Sequence, residues 1–296
     1  MVLCSLLKYK KFFITIFLYF FLNISLFADS EALKKFKEAK NWLYQLQNLN
    51  FNLVKDAGFD ILVTDYSWDG TEEKEYKAGQ IKRLKSITKM VILSYLSIGE
   101  AEDYRFYWKS IPKEIIDAEN PSWEGNYKVK YWDNRWKKII FEYIDRIVDM
   151  GFDGLYLDLI DAYQYFEKIK PDAKDLMINF VVEIANYCRE KKGLKDYIIV
   201  PQNGEELLTE KRYLDVISGI AREEVYFRAM DIPSEDEKEA EFYLDIALKN
   251  GKKVLTVDYC TNISNIREVY KKAGAKGYVP YCTVVELDRM IINKIY

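Results

Sequence analysis

The sequence predicts a single (β/α)8 barrel, an α/β fold closed by eight parallel strands. Three observations lead there. Short apolar runs alternate with helix-like stretches from residue 42 onward, the order of a parallel α/β sheet. Those runs are continuously apolar, as strands covered on both faces must be. A length of 296 residues suits such a barrel as one unit, and no internal repeat, low-complexity tract or interdomain linker interrupts it.

Before the barrel comes an expected export signal over residues 1–28. Lys8, Lys10 and Lys11 precede an apolar run from Phe12 to Phe27, which ends at Ala28 before Asp29 and Ser30. The run is short for a membrane span. Leu26 stands where a signal-cleaving enzyme prefers a small residue, so an uncleaved signal is the alternative and would be the chain's only membrane contact. The barrel domain is then 29–296, exported to the periplasm, cell surface or medium.

Strands are expected at 42–46, 61–66, 90–97, 155–158, 197–202, 216–221, 254–259 and 278–281. Helices are expected at 72–87, 136–150, 173–192, 235–250 and 264–273. Three of these end against glycine, at Gly151, Gly251 and Gly274, where a left-handed residue closes a helix. Between the third and fourth strands lies a long connection, about 99–135, rich in Trp and Tyr. It is expected to be a loop, and loops of that length are usually functional.

Composition removes several chemistries. The chain has no histidine, which excludes Ser-His-Asp and Cys-His nucleophilic systems and histidine-bearing zinc sites. Its 44 basic and 47 acidic residues are interleaved, leaving no electrostatic footprint for nucleic acid. Cleavage of the signal leaves Cys188, Cys260 and Cys282. An odd number gives no disulfide framework. Cys260 and Cys282 end consecutive strands and read as neighbouring buried thiols, with a single bridge as the alternative. A monomer is expected.

Residues just past the strand ends should line one cleft, because a barrel carries its site on that face. They are Asp65 and Tyr66, Ser97 and Glu100, then Asp158 and Asp161. Later strands add Gln202, Asn203 and Glu205, then Arg222, Glu223 and Glu224, then Asp258 and Tyr259. Helix capping explains about half of such a set; Asp161 reads equally as a cap. The rest point to a polar ligand and carboxylate chemistry. Two carboxylates across a cleft break glycosidic bonds, one giving a proton to the leaving oxygen while the other attacks or activates water. Asp158 on the fourth strand and Glu223 on the sixth would face each other in this way. The competing use of such acids, a Mg or Ca site, is not the expectation; no metal or cofactor is expected.

Six ordered segments carry a resemblance: Trp42-Leu-Tyr-Gln-Leu-Gln, Leu62-Val-Thr-Asp-Tyr, Ser94-Tyr-Leu-Ser-Ile-Gly-Glu-Ala-Glu-Asp-Tyr-Arg, Gly151-Phe-Asp-Gly-Leu-Tyr-Leu-Asp, Val200-Pro-Gln-Asn-Gly-Glu-Glu-Leu and Val257-Asp-Tyr. Over about residues 40–290 the chain resembles the endo-α-1,4-polygalactosaminidases, glycoside hydrolase family 114, in the exported branch sometimes labelled cysteinyl-tRNA synthetase-related. The resemblance implies a (β/α)8 barrel that hydrolyses internal α-1,4 bonds of galactosamine-rich polysaccharide. It assigns the two acids to Asp158, as nucleophile or base, and to Glu223, as proton donor, with the roles open to exchange and Glu224 as the neighbouring register. Asp65, Tyr66, Glu100, Asp161, Gln202, Asn203, Asp258 and Tyr259 become candidate substrate-binding residues, and Arg105 and Trp108 would clamp the polymer or pack the long loop down. The synthetase label fails on chemistry: adenylate formation of that class uses a histidine-containing motif, and this chain has no histidine. Two alternatives stand beside the hydrolase: a non-catalytic carbohydrate-binding barrel, and a glycosidase for a different α-linked polysaccharide.

Overall fold

The computed structural model describes residues 29–77 and 79–293; the expected signal at 1–28 lies outside them. Eight parallel strands follow one another around a barrel: β1 Trp42–Tyr44, β2 Ile61–Thr64, β3 Val91–Ser97, β4 Gly154–Asp158, β5 Ile198–Pro201, β6 Gly219–Glu223, β7 Lys253–Asp258 and β8 Val279–Cys282. Strands β1 to β5 form one hydrogen-bonded ladder and β6 to β8 another. A bridge between Gln202 and Ala221 joins the two. No strand ladder joins β8 to β1 among the described residues. That seam is spanned by side chains instead: the Trp42 indole N–H donates to the Val279 carbonyl at 3.0 Å, and its ring lies 6.0 Å from that of Tyr281. The expected closure is therefore made by packing on one side rather than by a continuous ladder.

The strands are short apolar runs buried on both faces, as a helix-wrapped sheet requires; all seven residues of β3 are buried. Six longer helices cover the outside: α1 Glu31–Glu38, α2 Gln80–Thr88, α3 Asn134–Met150, α4 Ala173–Asn186, α5 Glu237–Lys249 and α6 Ile263–Lys276. In α3 the buried residues Trp136, Ile140, Tyr143, Ile144, Ile147 and Met150 recur at three- and four-residue spacing and form one stripe against the barrel. Asp133 caps its first turn by accepting from the Arg135 amide, and Gly151 ends it at φ +94.

Several expected boundaries shift. Residues 72–87 do not form one helix: a 3-10 turn at Glu72–Lys74 precedes α2, and Gly79 at φ +87 starts the new helix. The sixth strand begins at Gly219, because Lys211–Val216 folds as a short helix. Gly274 lies inside α6, and Gly277 closes that helix.

The connection after β3 is not a structureless loop. Glu100–Glu102 and Ile116–Glu119 flank Asn126–Val129 in a three-stranded antiparallel sheet. Aromatic packing knits this insertion together, with Trp108 stacked on Tyr127 at 5.0 Å, and binds it to the barrel, where Phe106 and Tyr107 meet Tyr143 and Trp136 of α3 edge-on. Gly99 lets it start. A Cβ there would lie 2.1 Å from the Leu159 carbonyl oxygen, so only glycine allows the insertion to cross the turn that follows β4.

Candidate active site

The C-terminal ends of the strands open into a cleft of about 320 Å3. Register places the two candidate acids at its floor. Asp158 ends β4 beside Ser97 of β3, and Glu223 ends β6 beside Val257 of β7. Both side chains line the cleft.

Each acid sits in its own cradle. Asp158 Oδ2 accepts from the Tyr95 hydroxyl at 2.7 Å, and Oδ1 from the Gln202 amide at 2.9 Å. Gln202 is held in turn by the Tyr156 hydroxyl, which donates to its Oε1. Glu223 Oε1 accepts from the Tyr259 hydroxyl, and Oε2 accepts from the Asn203 amide at 3.2 Å. The Asn203 side chain also accepts from the Glu223 backbone amide at 3.1 Å, so it fixes both the strand end and the carboxylate.

Backbone strain concentrates at the same points. Leu159, Asn203 and Glu224 have φ of +59, +61 and +56, and each directly follows a residue of this hydrogen-bond network. A non-glycine residue in that region costs on the order of 1–3 kcal/mol and persists only where its surroundings enforce it. Three successive strand ends turn sharply here, and the turns aim the preceding side chains inward.

Burial dominates the electrostatics. It pushes the Asp158 carboxyl well above the usual carboxylate range; the Glu223 charge adds to this, and the Tyr95 hydrogen bond opposes it. The Glu223 carboxyl is also raised by burial, against the hydrogen bonds from Tyr259 and Asn203. Two such neighbours resist ionising together. The pair can therefore hold one proton between two carboxylates, which general-acid chemistry needs.

The long insertion supplies one wall. Arg105 is buried and ties it to β2: its guanidinium donates to both Glu102 oxygens at 2.7 and 3.1 Å, to Asp65 at 2.9 Å and to the Gly70 carbonyl at 3.1 Å. Glu100 is paired with Lys128 and accepts from the Asn120 amide at 3.0 Å. Trp123 lines the cleft with half its surface exposed. The segment after β8 adds Val285, Glu286 and Leu287; the Leu287 carbonyl accepts from the Leu46 amide at 2.8 Å.

The model of glycoside-hydrolase family GH114 matches residues 24–294. The chain belongs to family GH114. This GH114 chain is 40% identical over 306 aligned residues to an uncharacterised protein of Thermotoga maritima, spanning 97% of the chain and 93% of that protein. It is 44% identical to an uncharacterised protein of Methanocaldococcus jannaschii over 268 residues, spanning 84% and 76% of the two chains. In fold it resembles the glycoside hydrolase domain of PelA from Pseudomonas aeruginosa, with a TM-score of 0.69 at 18% identity, over 86% of this chain and 98% of that one. It likewise resembles Aspergillus fumigatus Ega3, solved in complex with galactosamine, with a TM-score of 0.67 at 14% identity, over 84% and 93%. The protein is a glycoside hydrolase by family.

Against this frame the GH114 cleft gathers Asp65, Glu100, Asp158, Asp161, Asn203, Glu223 and Tyr259 from the residues expected at the strand ends. Glu223, not Glu224, faces the cleft; Glu224 turns away to accept from the Ala229 amide at 3.1 Å. Asp161 makes no capping hydrogen bond to the short helix it precedes. Three expected substrate contacts lie elsewhere. Tyr66 is fully buried, edge-on to Tyr143 at 4.7 Å, and its hydroxyl is sealed from solvent. Asp258 is also fully buried and accepts from the Tyr226 and Phe227 amides at 2.6 and 2.8 Å, fixing the turn after β6. Gln202 is buried and acts on Asp158 rather than on the cleft. Arg105 and Trp108 pack the insertion down; neither is free to clamp a polymer. Cys260 and Cys282 are free and buried, and the neighbouring Cys260 thiol together with burial holds the Cys282 thiol far above its ordinary value.

Sequence reasoning missed Tyr44, Tyr95 and Tyr156, because tyrosines within apolar runs read as core. Period-two alternation was the available signal. Counting back from Asp158 puts Tyr156 on its face of β4, and from Ser97 puts Tyr95 on its face of β3. Among the described residues no group of three or more acids or cysteines is arranged to hold a metal ion.

Proposed function

We propose that this GH114 protein is an exported, monomeric hydrolase of internal α-1,4 bonds in galactosamine-rich polysaccharide, with Asp158 and Glu223 as its two acids. The observation that carries the chemistry is the pair itself. A buried Asp158 and a half-buried Glu223, each locked by a hydroxyl and an amide, open on one cleft. One acid of the pair, Glu223 in the assignment the resemblance implies, gives the shared proton to the leaving glycosidic oxygen as the bond breaks; the stronger upward push on Asp158 leaves the exchanged roles open. Asp158 stabilises the developing positive charge on the sugar ring and either attacks its anomeric carbon or activates the water that does. Tyr95 and Gln202 hold Asp158, and Tyr259 and Asn203 hold Glu223, so neither acid need reorganise during the reaction.

Charge supports the substrate class. The cleft is lined by Asp65, Asp69, Glu100, Glu102, Asp158, Asp161, Glu223 and Glu286, against one cation, Arg105. Arg105 takes Asp65 and Glu102, and Lys128 takes Glu100. Asp69, Asp161 and Glu286 line the cleft without an ion pair to any described residue, and with the catalytic pair they make it attractive to a cationic amino-sugar chain. The complex of Ega3 with galactosamine accords with this reading. Trp123 presents an aromatic face on which a sugar ring of the polymer can stack.

Reducing-end release from α-1,4-galactosamine oligomers, from their N-acetylated forms and from α-1,4-glucan tests this. The expected order is fastest cleavage of the free-amine oligomer. Preference for the uncharged glucan would reject the substrate class, and binding without product release from any of the three would support a non-catalytic barrel.

A further inference from the structure

Four tyrosines meet beneath the two acids: Tyr44 on β1, Tyr95 on β3, Tyr156 on β4 and Tyr259 just past β7. Three of their hydroxyls are committed. Tyr95 donates to Asp158, Tyr259 to Glu223, and Tyr156 to the amide that holds Asp158. The fourth is different. Tyr44 lines the cleft, yet its hydroxyl makes no hydrogen bond to any described residue. Nor is that oxygen among the partnerless polar atoms sealed inside the protein, so it opens on the cleft.

The rest of the side chain is packed into the core. Only 1% of Tyr44 is exposed. Its ring stacks on Trp42 at 5.7 Å and meets Tyr156 at 5.0 Å. Burial above all, with the neighbouring Tyr156, Asp158 and Glu223 adding to it, keeps the phenol protonated. A buried polar group without a partner costs stability unless something else satisfies it. Here the open side is the space above the two acids, where a sugar must sit to be cleaved.

We propose that the Tyr44 hydroxyl is a substrate contact at the reacting centre, donating a hydrogen bond to the sugar ring seated between Asp158 and Glu223. Its role is to hold that ring in register with both acids while the glycosidic bond breaks. The assignment rests on the hydrolase reading above.

Tyr44→Phe is a clean probe, since it removes one oxygen and leaves the stacked ring. Wild type and variant are compared by kcat, KM and Tm on an α-1,4-galactosamine oligomer. The expected result is a fall of about 100- to 1,000-fold, mostly in kcat, the size seen when one donor to a reacting centre is lost. Tm should hold, because the lost hydroxyl had no protein partner. An active wild type with Tyr44→Phe within about twofold of it overturns the assignment alone. So does lost activity with a lowered Tm, which would make the hydroxyl structural. An inactive wild type overturns the substrate reading, and this proposal with it.

Discussion

Replacing Arg105 with leucine strands two buried carboxylates. The guanidinium side chain is 1% exposed, and those of Asp65 and Glu102 are each 5% exposed. Arg105 reaches Asp65 at 2.8 Å and Glu102 at 2.7 Å. Breaking a buried ion pair from one side costs about 3–5 kcal/mol, because the remaining charge stays desolvated. Two carboxylates are left here, though the Ser67 amide still donates to Asp65 at 3.0 Å and the Tyr104 hydroxyl to Glu102 at 2.5 Å. The loss expected for Arg105→Leu at about pH 7.5 is therefore about 3–5 kcal/mol. The pH dependence identifies the cause. Burial raises the Asp65 carboxyl to about 6 even against the Arg105 charge, and losing that charge raises it further. A carboxyl raised on folding contributes stability below its unfolded pKa and loses it as pH rises through the folded value. The deficit of the variant should thus shrink at about pH 5, where the acids take up protons instead of remaining as buried charges. Urea denaturation of both proteins at the two pH values measures it. A deficit below about 1 kcal/mol, the range of an exposed pair, or one that is equal at both pH values, would refute the reasoning.

Three further outcomes follow from the same geometry. Burial raises the Asp258 carboxyl to about 7 despite its two amide donors. It should cost wild type on the order of 4 kcal/mol between about pH 4 and 8, a slope that Asp258→Asn abolishes; parallel denaturation profiles for the two proteins would contradict this. Tyr95→Phe removes a donor that favours ionised Asp158, so kcat should fall about tenfold and the acid limb of the pH–rate profile should move to higher pH; an unmoved limb would count against it. Trp123→Ala removes an aromatic face at the cleft and should raise KM about tenfold for long oligomers while sparing short ones; equal effects at every chain length would place the sugar elsewhere.

Much of this was legible in the sequence, for identifiable reasons. Short continuous apolar runs bounded by turn residues read as strands covered on both sides, so β3 and β4 stood out, and a carboxylate closing such a run, Asp158, marked the cleft. Gly151 marked the end of α3 because a left-handed residue was needed there. The insertion was not legible as a sheet: its strands Ile116–Glu119 and Asn126–Val129 are short, polar and mostly half-buried, so neither burial nor a clean alternation distinguishes them from a loop. Asp258 and Tyr66 misled because a polar residue past a strand end can point inward to hold a turn or an arginine as readily as outward to a ligand. The tyrosines beneath the acids were hidden by composition. An aromatic in an apolar run is ordinarily core, and only the placement of its hydroxyl separates Tyr44 from its neighbours.

The central claim is that Asp158 and Glu223 act as one unit. Reducing-end release by wild type, Asp158→Asn, Glu223→Gln and the double variant, each checked for unchanged Tm, tests it most directly. Each single variant should lose at least about a thousandfold in kcat, and the double variant little more than either, because acids serving one bond-breaking event are not additive. Retained activity in either folded single variant, or losses that multiply in the double, would contradict the account.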